Sequence, residues 1–160
     1  MRVGIKILGA IIATMALTGI ADAKKTNSMQ LSGVVHMRGN CRSLMAADMN
    51  ITNLCDAQLF NTEFGGQATE FVFMLTDGSA IVFHGQGGQA HSDPNTAIQT
   101  LTSVARVANG KRDNVAANGI CRFTNPFAGV ATIDCEATSR MGRFVGSFIT
   151  DGSRPQTKGH

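Results

Sequence analysis

The chain has 160 residues, of which 43% are hydrophobic and 16% charged, with 18 Gly, 9 Phe, 4 Cys and neither Trp nor Tyr. That length fits one compact domain, and the composition is neither collagen-like nor charge-rich enough for intrinsic disorder. A formal net charge of +3 is too small to steer the chain to nucleic acid.

At the amino end Arg2 and Lys6 flank the start of an apolar stretch, Ile7 to Ile20, that leads into Ala21-Asp22-Ala23. A basic start, a short apolar run and small residues at both ends of that tripeptide predict a cleaved secretory signal over 1–23. The run is shorter than the roughly 18 to 20 residues of a membrane span, and the polar Lys24-Lys25-Thr26-Asn27-Ser28 cannot extend it. No cysteine follows Ala23 to take a lipid, and no twin-Arg pair precedes the run. The expected location is the periplasm or the extracellular space. From 14 basic and 11 acidic side chains, loss of Arg2, Lys6 and Asp22 leaves 12 and 10, with no cationic stripe. Neither nucleic acid nor an acidic membrane is therefore an expected partner, and no integral membrane segment is expected in the mature chain. Residues 24–160 are expected to form a single β-rich domain with disordered ends at 24–29 and 153–160.

Within that domain Ser32 to Arg38 predicts a strand, and 43–50, with Leu44, Met45, Ala46, Ala47 and Met49, is the best candidate for one short helix. The clearest signal is Glu70 to Thr76, then Asp77-Gly78, then Ser79 to His84. Two β-rich runs joined by Asp-Gly predict a tight hairpin. Both runs are apolar on consecutive positions, as in strands covered on both faces or lying centrally in a closed sheet. Residues 94–107 carry conflicting signals, a helix start at Asp93-Pro94 against the β-branched run Ile98 to Val107; the surroundings favour a strand. Ile120 to Thr124 is a short strand. Val130 to Thr138 alternates apolar and polar as a half-buried strand does, and Arg143 to Thr150 returns beside it. Thr-Asp-Gly-Ser recurs at 76–79 and 150–153, a hint of duplication, yet the spacings to the preceding cysteines differ and turn chemistry alone explains a repeated Asp-Gly. The expected fold class is all-β: a small antiparallel β-sandwich or a closed β-barrel of about seven strands.

Cys41, Cys55, Cys121 and Cys135 form two pairs, each 14 positions apart. An even count in an oxidising compartment predicts two disulfides, for which three connectivities are available. Turn chemistry at Asn125-Pro126 and Gly129 would fold Cys121 onto Cys135, which favours Cys41–Cys55 with Cys121–Cys135. The spacing lacks the close knuckles of a zinc ribbon and the C-x-x-C of a redox site.

Candidates for chemistry are sparse. Gly85-Gln-Gly-Gly-Gln-Ala90 matches a dinucleotide-binding pattern, but no acidic residue follows at the required distance and Pro94 interrupts the helix such a site needs, so no cofactor is expected. The polar, glycine-rich loop after the hairpin carries His84, Gln86, Gln89, His91 and Asp93, and is the expected binding site; its two imidazoles and carboxylate also suggest zinc or copper. His36-Met37, Met45 and Met49 suggest a softer thioether site. Glu63, Glu70, Asp134 and Glu136 are the carboxylates a glycosidase would need, although Asp134 and Glu136 share the solvent face of a strand. No nucleophile motif is present. The expected function is thus an exported, non-catalytic β-domain that binds an unknown protein or envelope component. The alternatives are a small-ligand or metal carrier using 84–93 in a barrel mouth, and a periplasmic inhibitor of a hydrolase.

Overall fold

A computed structural model describes residues 31–159; the expected export signal at 1–23 and the tail at 24–29 lie outside the described residues. The strands are β1 (Leu31–Ala46), β2 (Met49–Asn50), β3 (Cys55–Phe64), β4 (Ala68–Leu75), β5 (Ala80–Gln86), β6 (Ala90–Asp93), β7 (Thr96–Ala108), β8 (Lys111–Thr124), β9 (Thr132–Ser139), β10 (Gly142–Thr150) and β11 (Gln156–Gly159). Two single-turn 3-10 segments, Thr52–Leu54 and Pro126–Ala128, accompany them.

Eight of these strands run antiparallel in the order β10-β9-β8-β7-β5-β4-β3-β1, and β1 pairs back onto β10. The sheet is therefore a closed barrel, which removes the two exposed edges an open sheet would present. The long β1 makes closure possible: Gly39 to Met45 pair with β10, and Gly33 to His36 pair with β11, which continues the wall where β10 ends.

Successive strand side chains face opposite sides of the wall. β9 shows the consequence: Ile133, Cys135 and Ala137 are buried inside, while Asp134 and Glu136 stand in solvent. Phe71, Phe73, Phe83, Phe148, Leu44, Leu59 and Leu101 fill the interior, each such side chain contributing roughly 1.5–3 kcal/mol on burial. Eight strands enclose just enough room for side chains, so large residues need small partners. A β-carbon on Gly146 would lie 2.6 Å from the Phe73 ring and 2.9 Å from that of Phe83, and those two rings pack edge to face at 5.5 Å. Outside, Arg42 pairs with Asp134 and Arg143 with Glu136, both at 2.9 Å. The interior is largely apolar, whereas that of a lipid-facing barrel is polar. Among the described residues no helix is long and apolar enough to cross a membrane.

The two consecutive apolar runs are β4 and β5. Their inward residues join the main core, and their outward Val72, Met74, Ala80 and Val82 form a second cluster with Ala105 and Val107 of β7. Both disulfides form as expected. Cys121 and Cys135 are register partners on β8 and β9; Cys41 and Cys55 staple β1 to β3 beyond the last paired residues, Arg38 and Gln58. Residues 96–108 are strand, as the surroundings suggested.

Two expectations are corrected. Residues 43–50 are not a helix: β1 runs to Ala46, and Ala47 and Asp48 adopt φ of 52° and 65°, making a two-residue turn into β2. Eight residues without a cap are too few for a stable helix, whereas β10 and β2 give this backbone hydrogen-bond partners. Residues 153–160 are not a frayed end throughout, because Gln156–Gly159 form β11 against β1, completing a stretch of wall that β10 does not reach.

Candidate functional site

Following the inward-facing positions of three strands toward one mouth of the barrel, the side chains change from apolar to polar. On β3 the series is Leu59, Asn61, Glu63; on β8 it is Cys121, Phe123, then Asn125 just past the strand; on β7 it is Leu101, the buried Gln99, Ala97, then Asn95 just before the strand. The result is a cup of about 330 Å³, floored by Phe71, Phe123 and Ile133 and rimmed by Asn61, Glu63, Gln89, His91, Asn95 and Phe127. Phe71 and Phe123 meet at 5.0 Å with their planes tilted by 57°. Small-molecule sites have this make-up, an apolar bowl with a few convergent polar groups.

Local sequence chemistry holds the rim. The Asn125 side chain accepts a hydrogen bond from the Phe127 backbone N–H at 2.9 Å and caps the 3-10 turn that Pro126 opens. That turn leaves Phe127 at the lip, 51% exposed. Across the mouth, Asp93 Oδ1 accepts from the Asn95 N–H at 2.8 Å. This bond, followed by that of the Thr96 hydroxyl, holds the Asp93 carboxyl below its ordinary pKa. The turn presents Pro94 and Asn95 to the cup. Asn61 donates its amide to the Glu70 carbonyl at 3.2 Å, which leaves its oxygen as the group available to a ligand.

The loop expected to bind divides between two places. Gln89 and His91 line the cup. Asp93 shapes the adjoining turn, and Gln86 ends β5 with its side chain exposed and its carbonyl accepting from Gln99 at 3.3 Å. His84 stands on the outer wall. Its Nδ1 lies 3.1 Å from Glu70 Oε1, and since a carboxylate only accepts, Nδ1 carries the proton. Arg112 reaches the same carboxylate with two bonds, at 2.7 and 3.3 Å. His84 and His91 thus lie on different sides of the wall and do not form a pair. Among the described residues no group of three or more His, Cys, Asp or Glu is placed to share a metal ion. The segment itself is more ordered than a free loop: after Gly87 and Gly88, β6 pairs with the start of β7.

Glu63 was visible in the sequence only as one of several carboxylates, and Phe123, Asn61 and Phe127 carried no motif. Asn125-Pro126 was legible as a turn, but its placing of Phe127 at a barrel mouth depends on closure. At the opposite mouth a second hollow, of about 410 Å³, is bounded by Ile51, Phe144 and the exposed Met49, Leu54 and Met141. Both of its carboxylates already have local partners: Asp113 lies 3.5 Å from Lys111, and Asp77 is bound within its own turn by Ser79. The chain matches no family model, no curated protein and no solved structure.

Proposed function

We propose that this protein is an exported, non-catalytic binding protein, secreted or periplasmic, whose ligand is a small molecule seated in the cup between β3 and β8. The cup carries the proposal: an apolar floor, with Glu63, Gln89 and His91 converging above it, at one end of a barrel whose middle is filled by side chains. Two of the five residues expected to bind, Gln89 and His91, lie in it, which favours a small ligand over a macromolecular partner for this segment. Export is supported by the signal pattern of 1–23 and by two disulfides, which persist in oxidising compartments. The residues lining the cup include no serine, cysteine or lysine, and in this reading Glu63 and His91 serve recognition.

The test is a native intact mass of the protein recovered from the exported fraction of its own host. A species beginning at Lys24, four hydrogens lighter than the thiol form and carrying a small adduct lost on denaturation, is expected. A retained Met1 would overturn the export reading. A bare mass from native protein that also takes up nothing from a concentrated extract of the same compartment would overturn the ligand reading.

A further inference from the structure

We infer that the ligand of the cup is an organic ammonium, a positively charged nitrogen on an apolar tail; this rests on the reading of the cup as a small-ligand site. Glu63 is the one carboxylate among the residues lining the cup, and no lysine or arginine lines it. Among the described residues the Glu63 carboxylate has neither an ion pair nor a hydrogen bond, whereas Glu70, Asp113, Asp134 and Glu136 have ion pairs and Asp48, Asp56, Asp77, Asp93 and Asp151 accept hydrogen bonds. Its negative charge therefore faces the mouth uncompensated.

The apolar part of the cup complements the same charge. Phe71, Phe123 and Phe127 all border it; Phe71 is buried beneath the cup, and Phe127, 51% exposed, is the ring open to an occupant. An aromatic face is electronegative and attracts a cation placed within about 6 Å of its centre. A tail against Phe71 and Ile133 with its nitrogen between Glu63 and the Phe127 ring satisfies both features. A carboxylate in the same place meets Glu63 as a like charge, and a neutral alcohol gains a hydrogen bond but not the charge. The Asn61 oxygen adds an acceptor for an N–H donor.

The experiment compares three probes with one tail, hexylammonium, hexanol and hexanoate, titrated into the full protein at neutral pH and followed by ligand-observed NMR. The expected order is hexylammonium tightest, about fivefold over hexanol, the upper range of an exposed ion pair, with hexanoate weakest. Added salt should weaken hexylammonium and leave hexanol unchanged. Glu63 is exposed, so Glu63→Gln should fold normally and remove the gap between hexylammonium and hexanol. Equal binding of hexanol or hexanoate to the native protein, or an unchanged gap in Glu63→Gln, would overturn the ammonium inference and leave the cup as a site. No binding by any of the three would overturn the cup as a site for this tail and the inference with it.

Discussion

Glu70 holds a charge where the wall leaves little water: it is 8% exposed, and two partners share its carboxylate. Arg112 belongs to β8 and Glu70 to β4, with β7 and β5 between them. The Arg112 side chain therefore spans the outer face of β7 and β5, the strands that carry Val82 and Ala105. Its guanidinium neutralises a carboxylate that has little access to water. Removing one partner of such a pair leaves an uncompensated charge; because the Arg112 side chain is 37% exposed, the full buried-pair penalty does not apply. Arg112→Ala should cost about 2 kcal/mol in denaturant unfolding. Adding Glu70→Gln should cost clearly less than the sum of the two single changes. Strict additivity would show that the pair contributes nothing as a pair. In the sequence Arg112 is one of a Lys-Arg doublet at a turn, and its reach across two strands was not legible from any local pattern.

At the scale of elements, the two Thr-Asp-Gly-Ser turns show how local chemistry sets geometry. In each, the aspartate Oδ1 accepts from the backbone N–H of the serine two residues on, at 2.9 Å for Asp77 and 2.8 Å for Asp151, and from its hydroxyl as well. Gly78 and Gly152 take φ of 80° and 81°, a conformation glycine adopts without strain. The serine hydroxyl first, and its backbone N–H second, hold both carboxyls below the ordinary 3.8. A carboxylate depressed in the folded state contributes stability above its unfolded pKa, and that contribution is lost as pH falls through the lowered value. Stability should therefore fall from about pH 4 downward in part through these turns. Asp77→Asn with Asp151→Asn keeps an acceptor oxygen at each turn but removes the ionised form, and should lower neutral-pH stability slightly while flattening the acid limb by the same amount. An acid limb as steep as the native protein's would contradict that assignment.

The same scale shows what the sequence made legible. The β4–β5 hairpin followed from Asp77-Gly78, the alternation of Val130 to Thr138 marked the buried face of β9, and turn chemistry at Asn125 brought Cys121 onto Cys135. Each is a short-range signal. Residues 43–50 looked helical because Leu44, Met45, Ala46 and Ala47 have good helix propensity, but β10, roughly 100 residues later, supplies the partner that holds Ser43 to Met45 extended. Gln156–Gly159 is polar throughout and looked like a tail; it is a strand because β1 extends past the end of β10 and offers free backbone groups. Composition alone does not report a long-range pairing of that kind.

For the whole molecule, closure creates the geometry of the proposed site. It converts inward-facing Glu63, Phe123 and Asn125, on separate strands and turns, into one rim, and it leaves two unlike mouths. One is polar-rimmed and aromatic; the other is ringed by Met49, Leu54 and Met141. The sequence anticipated binding in the 84–93 segment, and Gln89 and His91 do reach the cup, while His84 does not. Periodicity separates inner from outer residues, but only a closed wall decides which inner residues end at the same rim. Binding at the proposed cup between β3 and β8 is tested by a map of backbone amide shifts as hexylammonium is titrated into isotope-labelled protein. Shifts are expected to concentrate at Glu63, His91, Ala97 and Phe127, with Met49, Leu54 and Met141 unmoved. Shifts confined to the opposite mouth, or scattered over the wall without focus, would contradict it.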